Sequence, residues 1–272
     1  MKQHDNLKKI ILCLLVAALV FVPFPVNARH SVSCRSVIFS DSTRVKRLYG
    51  KSVHDRVLPA STTKVMTALL VMERLPLNKY ITVNDSATHA EPSKIYAKAG
   101  EQYKVKDLLY AILLGSANDA SIVLAEAVAG SHSQFIKLMN AKARQLGAKH
   151  TKFANANGLP TQQKQYTTAY DMYLIFRYAL KYPFFRETIK MKYKTIYSKD
   201  GRKISLKSHN KILFNDWKQK IYGKTGYTRA AQACFVGTVE KGKSTLIIAV
   251  FGCTQRWEDI KHVVSNYGGI RL

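Results

Sequence analysis

A serine and a lysine three residues apart, Ser61 and Lys64, begin an apolar stretch of the chain. On an α-helix, positions three apart lie on nearly the same face, so the lysine nitrogen can reach the serine hydroxyl. A serine becomes a useful nucleophile when a base removes its proton, and a neutral lysine can be that base. A helix start adds N–H groups and a positive dipole end, which favour developing negative charge. The pair therefore offers the two groups that covalent catalysis by an activated serine requires, although this spacing alone often arises by chance.

Ordinary helix chemistry is the alternative, in which Ser61 caps the helix and Lys64 is solvated. Against it stands the setting of Lys64, because the residues after it are apolar on nearly every side of the predicted helix. A charged lysine is costly there unless it is paired or neutral. To act as a base near neutral pH, its pKa must fall from about 10.4 by roughly three units. Burial and a nearby like charge both lower the pKa of a lysine.

A second short motif follows Gly115 in the stretch LLGSAND. Ser116 and Asn118 lie two residues apart in a predicted tight loop, where both side chains can point into a cleft. The hydroxyl could relay a proton, and the amide could hold an amide group of a substrate. Simple turn chemistry is the alternative, with Asn118 or Asp119 capping the next helix.

A third motif, Lys224-Thr225-Gly226, opens the last strand region. A lysine and a threonine on an edge strand can bind a carboxylate, and the glycine lets a substrate approach the backbone closely. An exposed strand start is the alternative, since the chain has 43 basic residues. However, S-x-x-K, S-x-N and K-T-G occur in this order, each at a structural boundary. Their coincidence is far less expected by chance than any one of them.

The spacing of apolar residues changes along the chain, and with it the type of secondary structure expected to position these motifs. Strand patterns lie towards both ends, whereas helical spacing dominates between Val65 and about Tyr182. The helix that begins at Ser61 is too continuously apolar for a surface helix, so we predict a buried central helix. Strands are predicted at 34–40, 45–50, 192–198, 232–239 and 244–253, and further helices at 106–114, 119–129, 135–146, 170–180 and 257–267.

This order of elements predicts an α+β fold with an α/β/α arrangement of layers. One mainly antiparallel sheet would be built from both chain ends and flanked by helices. A helical subdomain at about residues 65–185 would be inserted between them. We expect the active cleft between the sheet and this subdomain.

Four stretches carry a resemblance to a known family: PASTTKVMTALLV, LLGSANDASIVLAE, the segment from Thr151 to Leu159, and GKTGYT. The chain resembles the penicillin-recognising serine enzymes. Within them it is most similar to the D-alanyl-D-alanine carboxypeptidases among the low-molecular-mass penicillin-binding proteins. The resemblance covers roughly Ser36 to Gly269, and it implies a fold like that of the β-lactamases and transpeptidases.

The resemblance also implies a role for each candidate residue. Ser61 would attack the peptide bond between the two terminal D-alanines of a peptidoglycan stem, and an acyl-enzyme would form. Lys64 would be the general base, and Ser116 would pass a proton to the leaving amine. The implied substrate-binding residues are Asn118, Lys224, Thr225, Gly226, Tyr227 and Arg256. Backbone N–H groups of Ser61 and Tyr227 would form the oxyanion hole, and β-lactam antibiotics would be covalent inhibitors.

Several other functions are weighed against the carboxypeptidase. A D,D-endopeptidase would cut the same kind of bond in a cross-link. A β-lactamase of class A fits less well, because Ala117 replaces the aspartate of those enzymes and their deacylating glutamate has no evident counterpart. A penicillin-sensing or wall-binding module without catalysis is a further alternative. The eight histidines lack zinc-ligand spacing, so we expect neither a metal nor a cofactor.

The first 28 residues predict a secretory signal peptide, since a basic start precedes the apolar run Ile10 to Val20. An uncleaved membrane anchor is the alternative, although the run is shorter than the roughly 20 residues of a span. Residues 29–272 are then one exported catalytic domain, in the periplasm or on the wall side of the membrane. We expect no β-rich C-terminal domain, because the chain stops at Leu272.

The net charge of the exported part limits the classes of partner that it can attract. The whole chain carries +26, and removing the three lysines and one aspartate of residues 1–28 leaves +24. Such a field attracts polyanions. Export excludes nucleic acid as a partner. It leaves loose association with anionic wall polymer or lipid, or no polyanionic partner at all.

The exported part contains three cysteines, Cys34, Cys234 and Cys253. Buried free thiols are favoured by their apolar surroundings, and one disulfide stays possible.

Overall fold

A computed structural model describes residues 31–272. The signal-peptide prediction for residues 1–28 therefore lies outside the described residues. Within the described part, the strands form one sheet of five strands and two small hairpins. The strands are β1 (Ser36–Asp41), β2 (Lys46–Lys51), β3 (Tyr80–Thr82), β4 (Gln102–Lys104), β5 (Tyr193–Tyr197), β6 (Lys203–Lys207), β7 (Tyr222–Thr228), β8 (Gln232–Lys241) and β9 (Ser244–Cys253).

The five-stranded sheet joins the two ends of the described chain. Its order is β2-β1-β9-β8-β7, and all neighbouring pairs are antiparallel. β1 pairs with β9 from Ser36 opposite Phe251 to Asp41 opposite Leu246. β7, which carries Lys224-Thr225-Gly226, is an edge strand as predicted. The predicted antiparallel sheet from both chain ends is confirmed.

Helices cover both faces of this sheet, which confirms the predicted α/β/α layers. The helices are α1 (Lys64–Arg74), α2 (Asp85–Thr88), α3 (Val105–Leu113), α4 (Asn118–Ala129), α5 (His132–Gln145), α6 (Ala169–Ala179), α7 (Pro183–Thr188) and α8 (Arg256–Gly268). Short 3₁₀ helices occur at Ala60–Thr63 and Lys211–Leu213. Among the described residues, no helix is both long and apolar enough to cross a bilayer.

Alternation along the strands divides the core between the two faces. In β1, Val37 and Phe39 belong to the cluster that contains Ile260 and Val263 of α8, whereas Ile38 belongs to the cluster of the other helices. Successive side chains of a strand point to opposite faces, so one strand contributes to both clusters. α1 is buried from Lys64 to Val71 and packs against α3, α4 and α6. It is the central helix that its apolar sequence predicts.

Several details differ from the sequence prediction, among them the short helices α2 and α7, which were not predicted. The helix predicted from Ser61 begins with a 3₁₀ turn, and the α-helix starts at Lys64. The hairpin of β3 and β4 lies inside the stretch that was expected to be mostly helix. β6 was not predicted, because it is only five residues long and has a lysine at each end, which gives a weak strand signal.

The preference for free thiols is wrong at two of the three cysteines. Cys34 and Cys253 form a disulfide that continues the pairing of β1 with β9. The apolar surroundings of each cysteine suggested an isolated thiol, but the sheet register places the two opposite one another. The disulfide consumes both sulfurs that lie near Asp259, so they offer no thiolate ligands to a metal. Cys234 is a buried free thiol, as expected.

Candidate active site

Ser61 lies in the 3₁₀ turn that leads into α1. Pro59 precedes the turn, and its carbonyl accepts hydrogen bonds from the N–H and the hydroxyl of Thr62. Ala60 adopts a left-handed backbone conformation with φ 45°, which is strained for a residue with a Cβ. The residue before α1 is Thr63, and no side-chain hydrogen bond caps the helix there. Ser61 is therefore not the helix cap that the alternative interpretation required.

Lys64 is fully buried, and its side-chain nitrogen lies within hydrogen-bond distance of three oxygen atoms. Nζ lies 3.0 Å from Ser61 Oγ, 2.7 Å from Asn118 Oδ1 and 2.8 Å from the Asn157 carbonyl oxygen. A neutral amine has two N–H donors and one lone pair. The two donors match the amide and carbonyl oxygens, and the lone pair can accept the Ser61 hydroxyl proton. The geometry thus accommodates the neutral form of Lys64 without an unsatisfied atom.

The surroundings of Lys64 also disfavour its charge. Burial lowers its pKa well below the ordinary value of a lysine, and the positive charge of Lys224 lowers it further. The carboxylate of Asp119 acts in the opposite direction but is the smallest of the three influences. A lysine with a strongly lowered pKa is a candidate general base.

The segment after α5 supplies one wall of the Lys64 site. The Asn157 carbonyl accepts from Lys64, and Asn155 Oδ1 accepts from the Gly158 N–H at 2.6 Å. Gly158 has φ 83°, and a Cβ there would lie 1.8 Å from the Ala60 carbonyl oxygen. Only glycine fits so close to the turn that carries Ser61. The family resemblance includes this segment, but it does not identify the backbone carbonyl that holds Lys64.

Ser116 lies opposite Ser61 at the start of α4. Its backbone is left-handed, with φ 57°, and its side chain is buried. Lys224 Nζ donates to Ser116 Oγ at 3.0 Å and to the Thr225 carbonyl at 2.9 Å. Burial and the nearby charge of Arg256 lower the pKa of Lys224 to about 7. Strained backbone at a hydroxyl-bearing residue in a cleft is frequent at functional sites.

Edge strand β7 forms the side of the cleft next to Ser61. A Cβ on Gly226 would lie 3.1 Å from the Ser61 backbone nitrogen, so the glycine lets the strand pack against the 3₁₀ turn. Thr225 and Tyr227 both line the cleft, and Tyr227 is 66% exposed. Arg256, at the start of α8, donates to the Gly226 carbonyl at 3.1 Å and lines the cleft too.

A second wall is held in place by Asp119, which sequence reasoning considered only as a helix cap. Its carboxylate oxygens accept from the backbone N–H groups of Ile95 and Ala97, each at 3.1 Å. The loop thus tied to α4 lines the cleft through Lys94, Ile95 and Tyr96. A buried acidic residue directly after S-x-N was the signal that could have identified this role.

The cleft has a volume of about 1160 Å³. Ser61, Ser116, Asn118, Thr225, Gly226, Tyr227 and Arg256 line it. The other two candidates, Lys64 and Lys224, lie behind its wall and reach it through their hydrogen bonds to the two serines. His209 also lines the cleft, and sequence reasoning missed it. Its pKa is lowered to about 4 by partial burial and by the charges of Lys224 and Lys64.

This arrangement matches the general requirements of acyl transfer through a serine. A hydroxyl contacts a buried amine, a second hydroxyl contacts a second amine, and the backbone N–H of Ser61 lies close to a glycine of the edge strand. Nucleophile and base lie within hydrogen-bond reach, as covalent catalysis by an activated serine demands.

Residues 24–255 match the peptidase S11 family, described as D-alanyl-D-alanine carboxypeptidase, and the chain belongs to this family. It is 34% identical over 230 residues to the D-alanyl-D-alanine carboxypeptidase DacF of Bacillus subtilis, covering 81% of this chain and 57% of that protein. It is 31% identical over 230 residues to a D-alanyl-D-alanine endopeptidase of Escherichia coli, covering 82% and 73%. The chain therefore spans little more than half of the Bacillus relative.

A solved structure of a protein with the same named activity has a similar fold. The crystal structure of the D-alanyl-D-alanine carboxypeptidase from Mycobacterium tuberculosis superposes with a TM-score of 0.81 at 29% identity. The superposition covers 88% of this chain and 92% of the other. The predicted resemblance to the carboxypeptidases among the penicillin-binding proteins is thus confirmed at the level of family and fold.

Proposed function

We propose that this protein is a serine D-alanyl-D-alanine carboxypeptidase that removes the terminal D-Ala from peptidoglycan stem peptides. In the first step, Lys64 accepts the proton of the Ser61 hydroxyl while Ser61 Oγ attacks the carbonyl carbon of the penultimate D-Ala. The contact of 3.0 Å between Ser61 Oγ and Lys64 Nζ supports this proton transfer. The peptide N–H groups of Ser61 and Tyr227 stabilise the negative oxygen that develops in the transition state.

The leaving group departs on the other side of the cleft. Ser116 delivers a proton to the nitrogen of the leaving D-Ala, and Lys224 supports this hydroxyl through its hydrogen bond of 3.0 Å. The terminal carboxylate binds at Thr225, next to the positive charges of Lys224 and Arg256. Asn118, with its amide group in the cleft wall, orients the substrate and Lys64. Water then hydrolyses the acyl-enzyme and regenerates Ser61.

The observation that carries this proposal is the state of Lys64. A fully buried lysine whose pKa is strongly lowered, and whose nitrogen contacts a serine hydroxyl in a cleft, has little structural use in a helix. Burying such a group costs free energy, so a stability role is a poor explanation. Its geometry matches the activation of a nucleophile.

We further propose that the protein is exported and acts on the outer side of the cytoplasmic membrane. The signal-like order of residues 1–28 and the disulfide between Cys34 and Cys253 support export, because disulfides persist in oxidising compartments. The net charge of +24 in residues 29–272 would add loose attraction to anionic wall polymers or lipid head groups. β-Lactam antibiotics would acylate Ser61 as substrate analogues.

The test compares the purified protein with Ser61→Ala and Lys64→Ala variants. Labelling by a fluorescent penicillin reports acylation, and release of D-Ala from a diacylated L-Lys-D-Ala-D-Ala tripeptide reports turnover. We expect no labelling in Ser61→Ala. In Lys64→Ala we expect the acylation rate to fall by a factor of about 100 to 10,000, the usual contribution of a general base. Thermal unfolding checks that both variants fold.

Other outcomes identify the alternatives. Rapid hydrolysis of penicillin without D-Ala release would indicate a β-lactamase. Slow labelling without turnover of any peptide would indicate a penicillin sensor. An active, folded Lys64→Ala variant would contradict the assignment of Lys64 as the base.

A further inference from the structure

Ala156, the residue before the Asn157 carbonyl that holds Lys64, is anchored through both of its backbone polar groups. The hydroxyl of Thr67 in α1 donates to the Ala156 carbonyl at 2.6 Å. The Ala156 N–H donates to Nε2 of His132 in α5 at 3.0 Å. Ala156 itself is fully buried. Two different helices therefore fix the backbone directly before the acceptor of the Lys64 hydrogen bond.

His132 can accept this hydrogen bond only while its ring is neutral, because an imidazolium has no free lone pair. His132 is the first residue of α5 and is half-buried. Burial lowers its pKa below the ordinary value of a histidine, while the carboxylate of Glu126 in α4 acts in the opposite direction. The positive end of the α5 dipole also disfavours a charged ring. The surroundings of His132 thus favour the form that accepts the Ala156 N–H.

The position of the Asn157 carbonyl affects where the lone pair of Lys64 points. When the two N–H groups of the neutral amine are donated to Asn118 Oδ1 and to the Asn157 carbonyl, the lone pair is directed at Ser61 Oγ. Without the Asn157 acceptor, the amine can rotate about its last bond and turn the lone pair away from the hydroxyl. The same carbonyl stabilises the ammonium that forms when Lys64 takes the proton. Movement of this carbonyl should therefore slow acylation.

Hydrogen bonds inside the turn that contains Ala156 do not replace these anchors. Asn155 Oδ1 accepts from the Gly158 N–H at 2.6 Å, and Asn155 Nδ2 donates to the Leu159 carbonyl at 2.8 Å. Both bonds join residues of the same turn, so the turn could shift as a unit without breaking them. The two anchors at Ala156, in contrast, join the turn to α5 and to the helix that carries Lys64.

From these contacts we infer that His132 is a positioning residue for acylation. By accepting the Ala156 N–H, it fixes the Asn157 carbonyl and thereby the orientation of the Lys64 amine. His132 is not one of the described residues that line the cleft, so it acts through this chain of contacts and not on the substrate. It also lies outside the three short motifs and the stretches that resemble the family. The inference rests on the proposed function, because it concerns the base of that mechanism.

A purely structural role is the competing explanation for the contact between His132 and Ala156. Buried backbone N–H groups are almost always paired, so the histidine would then only satisfy such a group. The two roles differ in what their loss changes. Loss of a structural contact lowers the unfolding temperature and leaves the chemistry of the folded protein intact. Loss of positioning lowers the limiting rate constant of acylation, while the Kd of the noncovalent penicillin complex stays the same.

The test compares three variants of His132 in the purified protein. His132→Phe keeps a ring without an acceptor. His132→Gln places its side-chain oxygen near the position of Nε2, whereas His132→Asn, one methylene shorter, does not reach the Ala156 N–H. Stopped-flow labelling with a fluorescent penicillin gives the limiting acylation rate constant and the Kd. We expect the rate constant to fall by about 10 to 100-fold in the Phe and Asn variants, as misplacement of a reacting group implies. The Kd should be unchanged, and the Gln variant should retain the rate of the unmodified protein.

Ser131→Ala is the matched control. Ser131 caps the same helix, where its hydroxyl accepts from the Gln134 N–H at 3.2 Å. Its loss weakens the start of α5 but leaves the contact between His132 and Ala156 in place. The acylation rate constant of this variant should equal that of the unmodified protein. Thermal unfolding checks that each variant folds, and if His132→Phe does not fold, the comparison of Asn with Gln decides.

The remaining outcomes separate this inference from the proposed function. A normal acylation rate constant in folded His132→Phe or His132→Asn would overturn the inference, while continued release of D-Ala would leave the carboxypeptidase intact. A Gln variant as slow as the Phe variant, or an equal loss in Ser131→Ala, would also overturn it. Labelling of the unmodified protein without D-Ala release would contradict the carboxypeptidase, and the penicillin rates of the variants would still decide the role of His132. No labelling of the unmodified protein would overturn both.

Discussion

Lys64 and Lys224 are both fully buried lysines at the cleft, and both have a lowered pKa. Burial and then the like charge of Lys224 lower the pKa of Lys64 well below the ordinary value of a lysine. Burial and the charge of Arg256 lower the pKa of Lys224 to about 7. In the proposed mechanism Lys64 acts as a neutral base beside Ser61, whereas Lys224 acts as a cation beside the substrate carboxylate. The two lysines therefore have to titrate with opposite effects on activity.

A bell-shaped pH profile is the prediction at this scale. kcat/KM for the tripeptide should rise with pH as Lys64 loses its proton, because only the neutral amine can act as the base. It should fall again as pH passes about 7, where the free protein loses the positive charge of Lys224. Steady-state kinetics from about pH 5 to about pH 10 would measure both limbs, which report groups of the free enzyme.

A Lys224→Gln variant separates the two limbs. It should show a lower kcat/KM without the descending limb, since glutamine carries no titrating charge. A descending limb that persists unchanged in this variant would contradict the assignment of that limb to Lys224.

At the scale of elements, the site depends on close approach between three backbone segments. The 3₁₀ turn Ala60–Thr63 lies between the segment at Gly158 and strand β7 at Gly226. Both contacts leave no space for a side chain of ordinary size. Ser61 is thus held by backbone on two sides, which limits the motion of its hydroxyl relative to Lys64. Preorganisation of this kind lowers the cost of reaching the transition state.

We predict that Gly158→Ala severely impairs both stability and acylation. The new Cβ would collide with the Ala60 carbonyl at 1.8 Å, and φ 83° is unfavourable for alanine. The cost should be at least about 3 kcal/mol, combining overpacking with backbone strain. Penicillin labelling should be lost even where the protein remains folded, because the turn that carries Ser61 has to move. Urea unfolding and labelling rates would measure the two effects.

Gly130→Ala is the matched control. Gly130 ends α4 with φ 76°, and a Cβ there would meet no atom within 4 Å. It should cost about 1 kcal/mol from backbone conformation alone and leave labelling unchanged. Equal effects of the two substitutions would show that the contact with Ala60 is unimportant.

For the molecule as a whole, the central sheet depends on contacts between distant parts of the chain. β1 and β9 are neighbours in the sheet although they lie near opposite ends of the described chain. The disulfide between Cys34 and Cys253, 219 residues apart in sequence, fixes this pairing covalently. Pairing over such a separation carries a large entropy of loop closure. A cross-link removes much of that entropy from the unfolded chain.

Loss of this disulfide should destabilise the protein by about 5 kcal/mol, the value that loop-closure entropy gives for a loop of this size. A Cys34→Ser/Cys253→Ser variant, compared by urea unfolding, would measure the difference. Cys234→Ala is the control, because Cys234 is a free buried thiol that the cross-link does not involve. A double variant as stable as the unmodified protein would show that the sheet does not rely on the disulfide.

The order of elements and the chemistry of the candidate site were predictable from the sequence. The period of apolar residues is a local property, so the strands near both ends and the buried helix α1 were predictable. Ser61 and Lys64 were predictable as a pair because a spacing of three brings side chains together on one helical turn. The order of S-x-x-K, S-x-N and K-T-G, with the residues around each motif, is sufficient to show the resemblance to the family.

Which distant groups come into contact was not predictable from the sequence. The Asn157 carbonyl against Lys64, the lysine of β7 against Ser116, and the pairing of Cys34 with Cys253 all join residues that are far apart in sequence. A local pattern contains no information about such contacts, because chain topology and sheet register determine them. The cleft wall at Lys207 and Phe214 belongs to the same class, since these residues line the cleft only because β6 folds beside it. The residues that carry the chemistry are therefore recognisable from local sequence. The lowered pKa of Lys64 and the extent of the cleft, in contrast, depend on tertiary packing.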